Sequence, residues 1–225
     1  MDKKLRISDL FETVPPLFTP LFEGVEYPWE LLSRIEPFCK ELLGKEIEGY
    51  RLIATGVLVG EEVEISRKAT ILPPAIIGKG TQIRPGAYLR GNVVVGENCV
   101  IGNSTELKNC ILFPSVQVPH YNYVGDSVLG KGAHMGAGAI CSNLKSDGKN
   151  VFIRGEKDFP TFRRKVGAFL GDGADIGCGC VLNPGTVVGK NTSVYPLLSL
   201  RGVYPAGCIV KSVAEIVERK EKTDT

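Results

Sequence analysis

Residues 59–107, VGEEVEISRKATILPPAIIGKGTQIRPGAYLRGNVVVGENCVIGNSTEL, repeat at an interval of six. An aliphatic side chain opens each hexad at Val59, Ile65, Ile71, Ile77, Ile83, Leu89, Val95, Ile101 and Leu107. Leu, Ile and Val supply 60 of the 225 residues, so nine hits in one register have a chance of about 10⁻⁵. Four positions after each aliphatic stands a small or β-branched residue, among them Ala69, Ala75, Thr81, Ala87, Cys99 and Thr105. The period returns at Leu112, Val118 and Val124, at Leu129 and Met135, and from Leu170 through Ile176, Leu182, Val188 and Val194 to Leu200. Glycine often follows the aliphatic, as in IGKG, VGEN, LGDG and VGKN.

A period of six fits neither a heptad nor a βαβ unit. It fits a coil of short parallel strands whose aliphatics stack inside a narrow prism, with glycine giving the corners their backbone freedom. The pattern resembles the hexapeptide-repeat family. That resemblance implies a mainly β fold, a single-stranded left-handed parallel β-helix with three hexads, about 18 residues, per coil. On this reading residues 51–210 form the β-helix. Residues 1–50 form an extended Pro-rich arm and a short amphipathic helix in YPWELLSRIEPFCKELLG, stopped at Gly44. Residues 211–225, with VAEIVERKEK, read as a short charged C-terminal helix.

Composition excludes several classes. The net charge of +2 gives no broad basic surface for nucleic acid. No apolar run reaches the length of a membrane span, and MDKKLRISDLFETV lacks the apolar core of a signal peptide. Seven scattered cysteines read as reduced thiols in a cytoplasm. Only two histidines occur, too few for the three-histidine zinc site of a β-helix carbonic anhydrase. Cys178-Gly-Cys180 shares a strand face without further ligands, so no metal is expected.

Both histidines lie in ELKNCILFPSVQVPHYNYVGDSVLGKGAHMGAGAICSN, residues 106–143, where the register twice shortens by one residue. The repeat then stops at Ser142 and restarts near Ala168. The intervening residues 142–167 must loop out. They carry Lys145, Lys149, Arg154, Lys157, Arg163, Arg164 and Lys165 against three acids. Such a loop suits either a phosphate-bearing ligand or plain solvation. Stacking by coil puts His120 over Asn103 and beneath Ala137, and Tyr123 over Glu106. With Arg84 and Lys108 these are expected on one edge of the prism. His134 sits at a hexad's end, with a structural role or one that tunes the site. A histidine accepts a proton near neutral pH, an open backbone N–H receives an oxyanion, and Arg and Lys hold a phosphate. Together they suit acyl transfer.

The segments IRPGAYL, ELKNC, PHYNYVGDS, GAGAICSN and FRRKVGAFLGDGADIG are similar to the acetyltransferase domain of sugar-1-phosphate nucleotidylyltransferase/acetyltransferases. These include the bifunctional glucosamine-1-phosphate acetyltransferases of bacteria and their archaeal counterparts. The resemblance implies acetyl-CoA as co-substrate and N-acetylation of an amino-sugar 1-phosphate in UDP-N-acetylglucosamine biosynthesis. His120 would be the general base, with Glu106 orienting it, and the Ala137 N–H the oxyanion donor. Arg84, Lys108, Tyr123, Asn143 and Lys149 would bind the sugar phosphate, and Ala137, Gly138 and Asn143 acetyl-CoA. It also implies a homotrimer with sites between subunits, which would cover an apolar prism face. Where the bacterial pattern has asparagine, this chain has His134. No Gly-rich nucleotide loop precedes the helix, so no pyrophosphorylase activity is expected. The alternative is a non-catalytic trimerisation or regulatory module for a separate nucleotidylyltransferase.

Overall fold

The computed structural model describes residues 5–218. Its body is a parallel β-solenoid with three faces. Face A stacks strands from Val57–Gly60 to Val203–Tyr204, face B from Glu64–Ile65 to Cys208–Ser212, and face C from Thr70–Leu72 to Ser199–Leu200. The period-six aliphatics form inward columns. On face A, Ile77 pairs with Val95, Val95 with Leu112, Leu112 with Leu129, Leu129 with Leu170 and Leu170 with Val188. All of these are buried. The second register fills the corners: buried Thr81 and Thr105 donate their hydroxyls to the carbonyls of Gly96 and Val118, at 2.8 and 2.9 Å.

The two shortened hexads have a local cause. Each turns from face C to face A through one left-handed residue, Asn109 (φ 47°) and Asp126 (φ 49°). Asparagine and aspartate tolerate that conformation better than other residues with a Cβ. The two stack on successive coils, and Asn109 Nδ2 donates to Asp126 Oδ1 at 2.8 Å.

Faces B and C alternate between buried and accessible residues, but the strands of face A are buried throughout. The chain's own N-terminal segment covers part of that face. Phe11 stacks on Phe113 with centroids 4.7 Å apart, and Phe18 and Phe22 meet the same ring edge-on. The helix Ile35–Leu43, ended at Gly44 as expected, buries Ile35, Phe38, Cys39 and Leu42 and packs against Val93–Val95. At roughly 25 cal/mol per Å² of apolar surface, such aromatic contacts stabilise the arm by several kcal/mol. The apolar face is thus covered within one chain, which removes the exposed face on which the expectation of a trimer partly rested.

The loop over 142–167 leaves the coil as expected but does not simply protrude. It forms an antiparallel hairpin, Phe152–Arg154 with Asp158–Pro160, and buries Val151, Ile153 and Val166. Phe159 packs against Tyr27 and Trp29, and Trp29 reaches Phe169. Loop and arm therefore form one cover.

The expected C-terminal helix is not found in the described part of the tail. Glu215–Glu218 runs as a strand antiparallel to Cys208–Ser212. The last coil presents an open sheet edge whose backbone groups a short strand can pair, whereas a helix this short is marginal in water. Residues 219–225 of that tail lie outside the described residues. The other end is closed in the same way, with Tyr50–Ala54 antiparallel to Val57–Gly60.

Candidate active site

The residues expected on one edge divide between two corners of the prism, joined across face C. Arg84, His120 and Ala137 lie at the corner between faces B and C. Lys108 and Asn143 lie at the corner between faces C and A. Both Arg84 and Lys108 directly follow an inward aliphatic, but Ile83 belongs to face B and Leu107 to face C. The three-residue strand Glu106–Lys108 separates the two corners.

At the first corner the expected stacking holds. His120 pairs with Asn103, its carbonyl accepts from Gly138 N at 3.0 Å, and the Ala137 carbonyl accepts from Gly179 N at 2.8 Å. Gly102 has to be glycine, because an added Cβ would run into the Pro119 carbonyl. His120 is exposed, and its backbone N–H donates to Asn122 Oδ1 at 3.1 Å. Asn122 is buried and donates on to the carbonyls of Gly136 and Ala139 at 2.8 and 3.2 Å, fastening the His120 turn to the Ala137 turn. The imidazole has no hydrogen-bond partner among the described residues, and neither has the Ala137 N–H. The amides on both sides of Ala137 are tied, Gly136 N to Ile176 O and Gly138 N to His120 O. A free imidazole therefore lies one coil below an open amide, and the exposed Cys178 caps the same column one coil above.

Glu106 does not meet His120. It points along face C, between Tyr88 and Tyr123 in its column, and forms an ion pair with Arg90, which also lies over the Tyr88 ring at 5.9 Å. Its role as orienter of His120 is not supported by this contact. The carboxylate–imidazole contact belongs to the other histidine: His134 Nδ1 lies 2.8 Å from Asp175 Oδ1. His134 stacks over Gln117, at the opposite end of face B from His120.

The second corner is organised by Asp126. Its side chain is 3% exposed and takes Lys108 Nζ at 3.2 Å, Asn109 Nδ2 at 2.8 Å and Asn143 Nδ2 at 2.6 Å. Asn143 Nδ2 also donates to Tyr123 Oη at 3.1 Å. Burial, then the charges of Asp126 and Glu106, push the Tyr123 phenol above its usual pKa, so it stays a neutral donor. Asp126 was missed in the sequence, although GDS was visible. Its role depends on the left-handed turn that points it inward. Lys149 is exposed in the loop beside Asp147, away from this network, and Arg84 donates to Gln82 Oε1 at 3.3 Å. Arg163, Arg164 and Lys165 instead line an open groove of about 640 Å³ with Lys108 and Asp126.

Cys178 and Cys180 face opposite ways, one exposed and one buried. Among the described residues no group of three or more His, Cys, Asp or Glu side chains gathers as for a metal. No helix among them is long and apolar enough to cross a membrane.

A family profile described as GMPPB C-terminal domain matches residues 71–157. The bifunctional protein GlmU of Methanococcus maripaludis is 33% identical over 77% of this chain and 43% of its own length. A bifunctional sugar-1-phosphate nucleotidylyltransferase/acetyltransferase of Sulfurisphaera tokodaii is 36% identical over 62% of this chain and 35% of its own length. The chain thus spans less than half the length of these curated relatives. Among solved structures, the acetyltransferase domain of PglB from Neisseria gonorrhoeae, in complex with acetyl coenzyme A, is 18% identical with a TM-score of 0.42, covering 69% of this chain and 56% of that one. Its period of six and its three parallel faces make the chain a β-solenoid of hexapeptide repeats, and in sequence it is similar to these curated relatives.

Proposed function

We propose that the protein is an acetyl-CoA-dependent N-acetyltransferase acting on an amino-sugar 1-phosphate. The observation that carries this reading is the unpartnered His120 imidazole one coil beneath the unpartnered Ala137 amide. In the proposed step the amine lone pair attacks the thioester carbonyl carbon and the oxygen becomes an oxyanion received by the Ala137 N–H. His120 takes the amine's proton as the C–N bond forms, and the C–S bond breaks to release the CoA thiolate, which His120 can reprotonate. Tyr123 and Asn143 line the path toward the second corner, where a phosphate would find cations. The name of the Sulfurisphaera tokodaii relative, which pairs acetyl transfer with a sugar 1-phosphate, supports this substrate class.

His120 and Tyr121 are both exposed, and acyl transfer from a thioester needs water excluded. A second copy closing this edge supplies that exclusion, so the homotrimer is part of the proposal on this ground. The test is a thiol-release assay with acetyl-CoA against a panel of amino-sugar phosphates. Release that depends on an amino-sugar 1-phosphate is expected, and no release with any of them defeats the proposal. The second reading is a non-catalytic trimerisation or regulatory module for a separate sugar nucleotidylyltransferase, which would release no thiol. The same assay separates the two.

A further inference from the structure

Of the seven cations in the loop over 142–167, four have a neighbour of their own. Lys145 pairs with Asp147 at 3.1 Å, and Lys149 lies beside the same carboxylate. Arg154 pairs with Asp158, and Lys157 stands over the Phe159 ring at 5.1 Å. Arg163, Arg164 and Lys165 differ: among the described residues none of the three has a carboxylate partner. They are consecutive, and they line one groove with Lys108 and the helix Ile35–Leu43.

Three uncompensated like charges side by side repel one another unless an anion joins them. The protein's own carboxylates at the groove are already engaged. Asp126 is held by Lys108, Asn109 and Asn143, and Glu36 by Lys40 at 2.6 Å. Arg163 is half-buried, and its Nε is shut off from water with no acceptor. The enclosed Nε is out of an anion's reach, and what Arg163 offers the groove it lines is the accessible part of its side chain. The segment is held in place rather than free. Arg164 Nε donates to Gly148 O at 2.8 Å, Val166 N to Asn143 O at 2.9 Å, and Gly167 N to Asp126 O at 2.7 Å. At the lip of the groove Phe162 is 82% exposed on a left-handed backbone (φ 55°). Tyr121 and Leu197 share that backbone conformation at turns of the coil, so what sets Phe162 apart is its place beside the groove. It offers a bare aromatic face next to the cations.

We propose that this groove binds a phosphate ester of a sugar, with Arg163, Arg164 and Lys165 on the phosphate and Phe162 against the sugar ring. The inference deepens the acetyltransferase reading, on which it rests only for the acceptor's identity. It moves the phosphate from the Arg84 corner to the corner of Lys108 and Asp126. Guanidinium groups in pairs match phosphate oxygens in geometry as well as charge. Hydrogen bonds from Asn143 to Asp126 and to Tyr123 tie the groove to face C.

Calorimetric titration of the full chain with glucose 1-phosphate tests this, because that ester has no amine and cannot be acetylated. The wild type should bind it and not glucose. Arg163→Gln with Arg164→Gln should weaken binding at least about tenfold for each cation removed, with Arg84→Gln within twofold of wild type. Phe162→Ala should weaken glucose 1-phosphate but leave inorganic phosphate unchanged. Lys165 is exposed, so Lys165→Gln gives the same readout should the double variant fail to fold. No binding by the wild type, full binding by the arginine and lysine variants, or loss only with Arg84→Gln would each overturn the site. Binding as expected without acetylation of any amino-sugar phosphate would defeat the acetyltransferase reading and leave this site standing. Acetylation with the phosphate on Arg84 would do the reverse.

Discussion

At the scale of single residues, the two histidines make opposite predictions. Replacing His120 with alanine should lower turnover by about 10²–10⁴-fold, the usual cost of removing a general base. Its side chain is exposed and has no hydrogen-bond partner among the described residues, so the melting temperature should hold. His134→Ala should cost less than tenfold. Steady-state kinetics of both variants between about pH 6 and 9 decide it. Retained activity in His120→Ala with abolition in His134→Ala would make the His134–Asp175 pair the base. The Asp175 contact was hidden in the sequence because the loop separates the two residues by 41 positions, yet the inward aliphatics Leu129 and Leu170 keep the same spacing. Lys108 is a less clean probe than its position suggests. Removing it strands the buried Asp126 carboxylate, so Lys108→Ala should cost up to about 3–5 kcal/mol of stability. Thermal unfolding beside Lys108→Ala/Asp126→Asn checks this: the double variant should recover much of the loss, and no recovery would mean the pair is not the cause. The thiols give a third expectation. Burial pushes Cys39, Cys99 and Cys141 up to about 12 and Cys110 higher still, while Cys178 is exposed over Ala137. A disulfide reagent added to the native protein should react fast with one thiol, lost in Cys178→Ser, and should slow acetyl transfer. Several fast thiols would contradict the burial described.

At the scale of elements, the solenoid was legible and its cover was not. Period six fixes which side chains point inward, because each column repeats the same demand coil after coil, and Ile77, Val95 and Leu112 fall where the pattern puts them. Phe11, Phe22, Trp29 and Phe159 obey no period, since each answers to particular rings on face A or in its cover. The tail failed for a related reason: an open sheet edge is a property of the finished coil, and it drew Glu215–Glu218 into a strand. The division of the site into two corners could have been read from Ile83 and Leu107 belonging to different faces. The shortened turn after Lys108 obscured it. Phe113 is the point where cover and coil meet. Phe113→Ala should destabilise the protein by about 3–5 kcal/mol and expose the arm to limited proteolysis near residues 11–22. An arm as resistant as in the wild type would mean that the aromatic cluster does not hold it.

For the whole molecule, the open His120 edge sets the expectation for assembly. A trimer by light scattering at micromolar concentration is expected, and a monomer would leave the proposed site wet. Trimer formation need not bury face A, because the arm and loop already cover it.

The arm crosses the coils rather than following them. It touches Val93–Val95 through its helix, Phe113 through Phe11, Phe169 through Trp29, and Asp172, which accepts from Glu12 N at 2.8 Å. Glu12 also reaches Lys190 at 3.5 Å. A bare stack of coils, each resting only on its neighbours, comes apart one layer at a time. Here a strap is tied at several heights, so under mechanical load the coils between Val93 and Lys190 should yield together. Pulled from its two ends, the molecule should first shed the layers beyond Lys190 at low force, then resist, then give way in one large step.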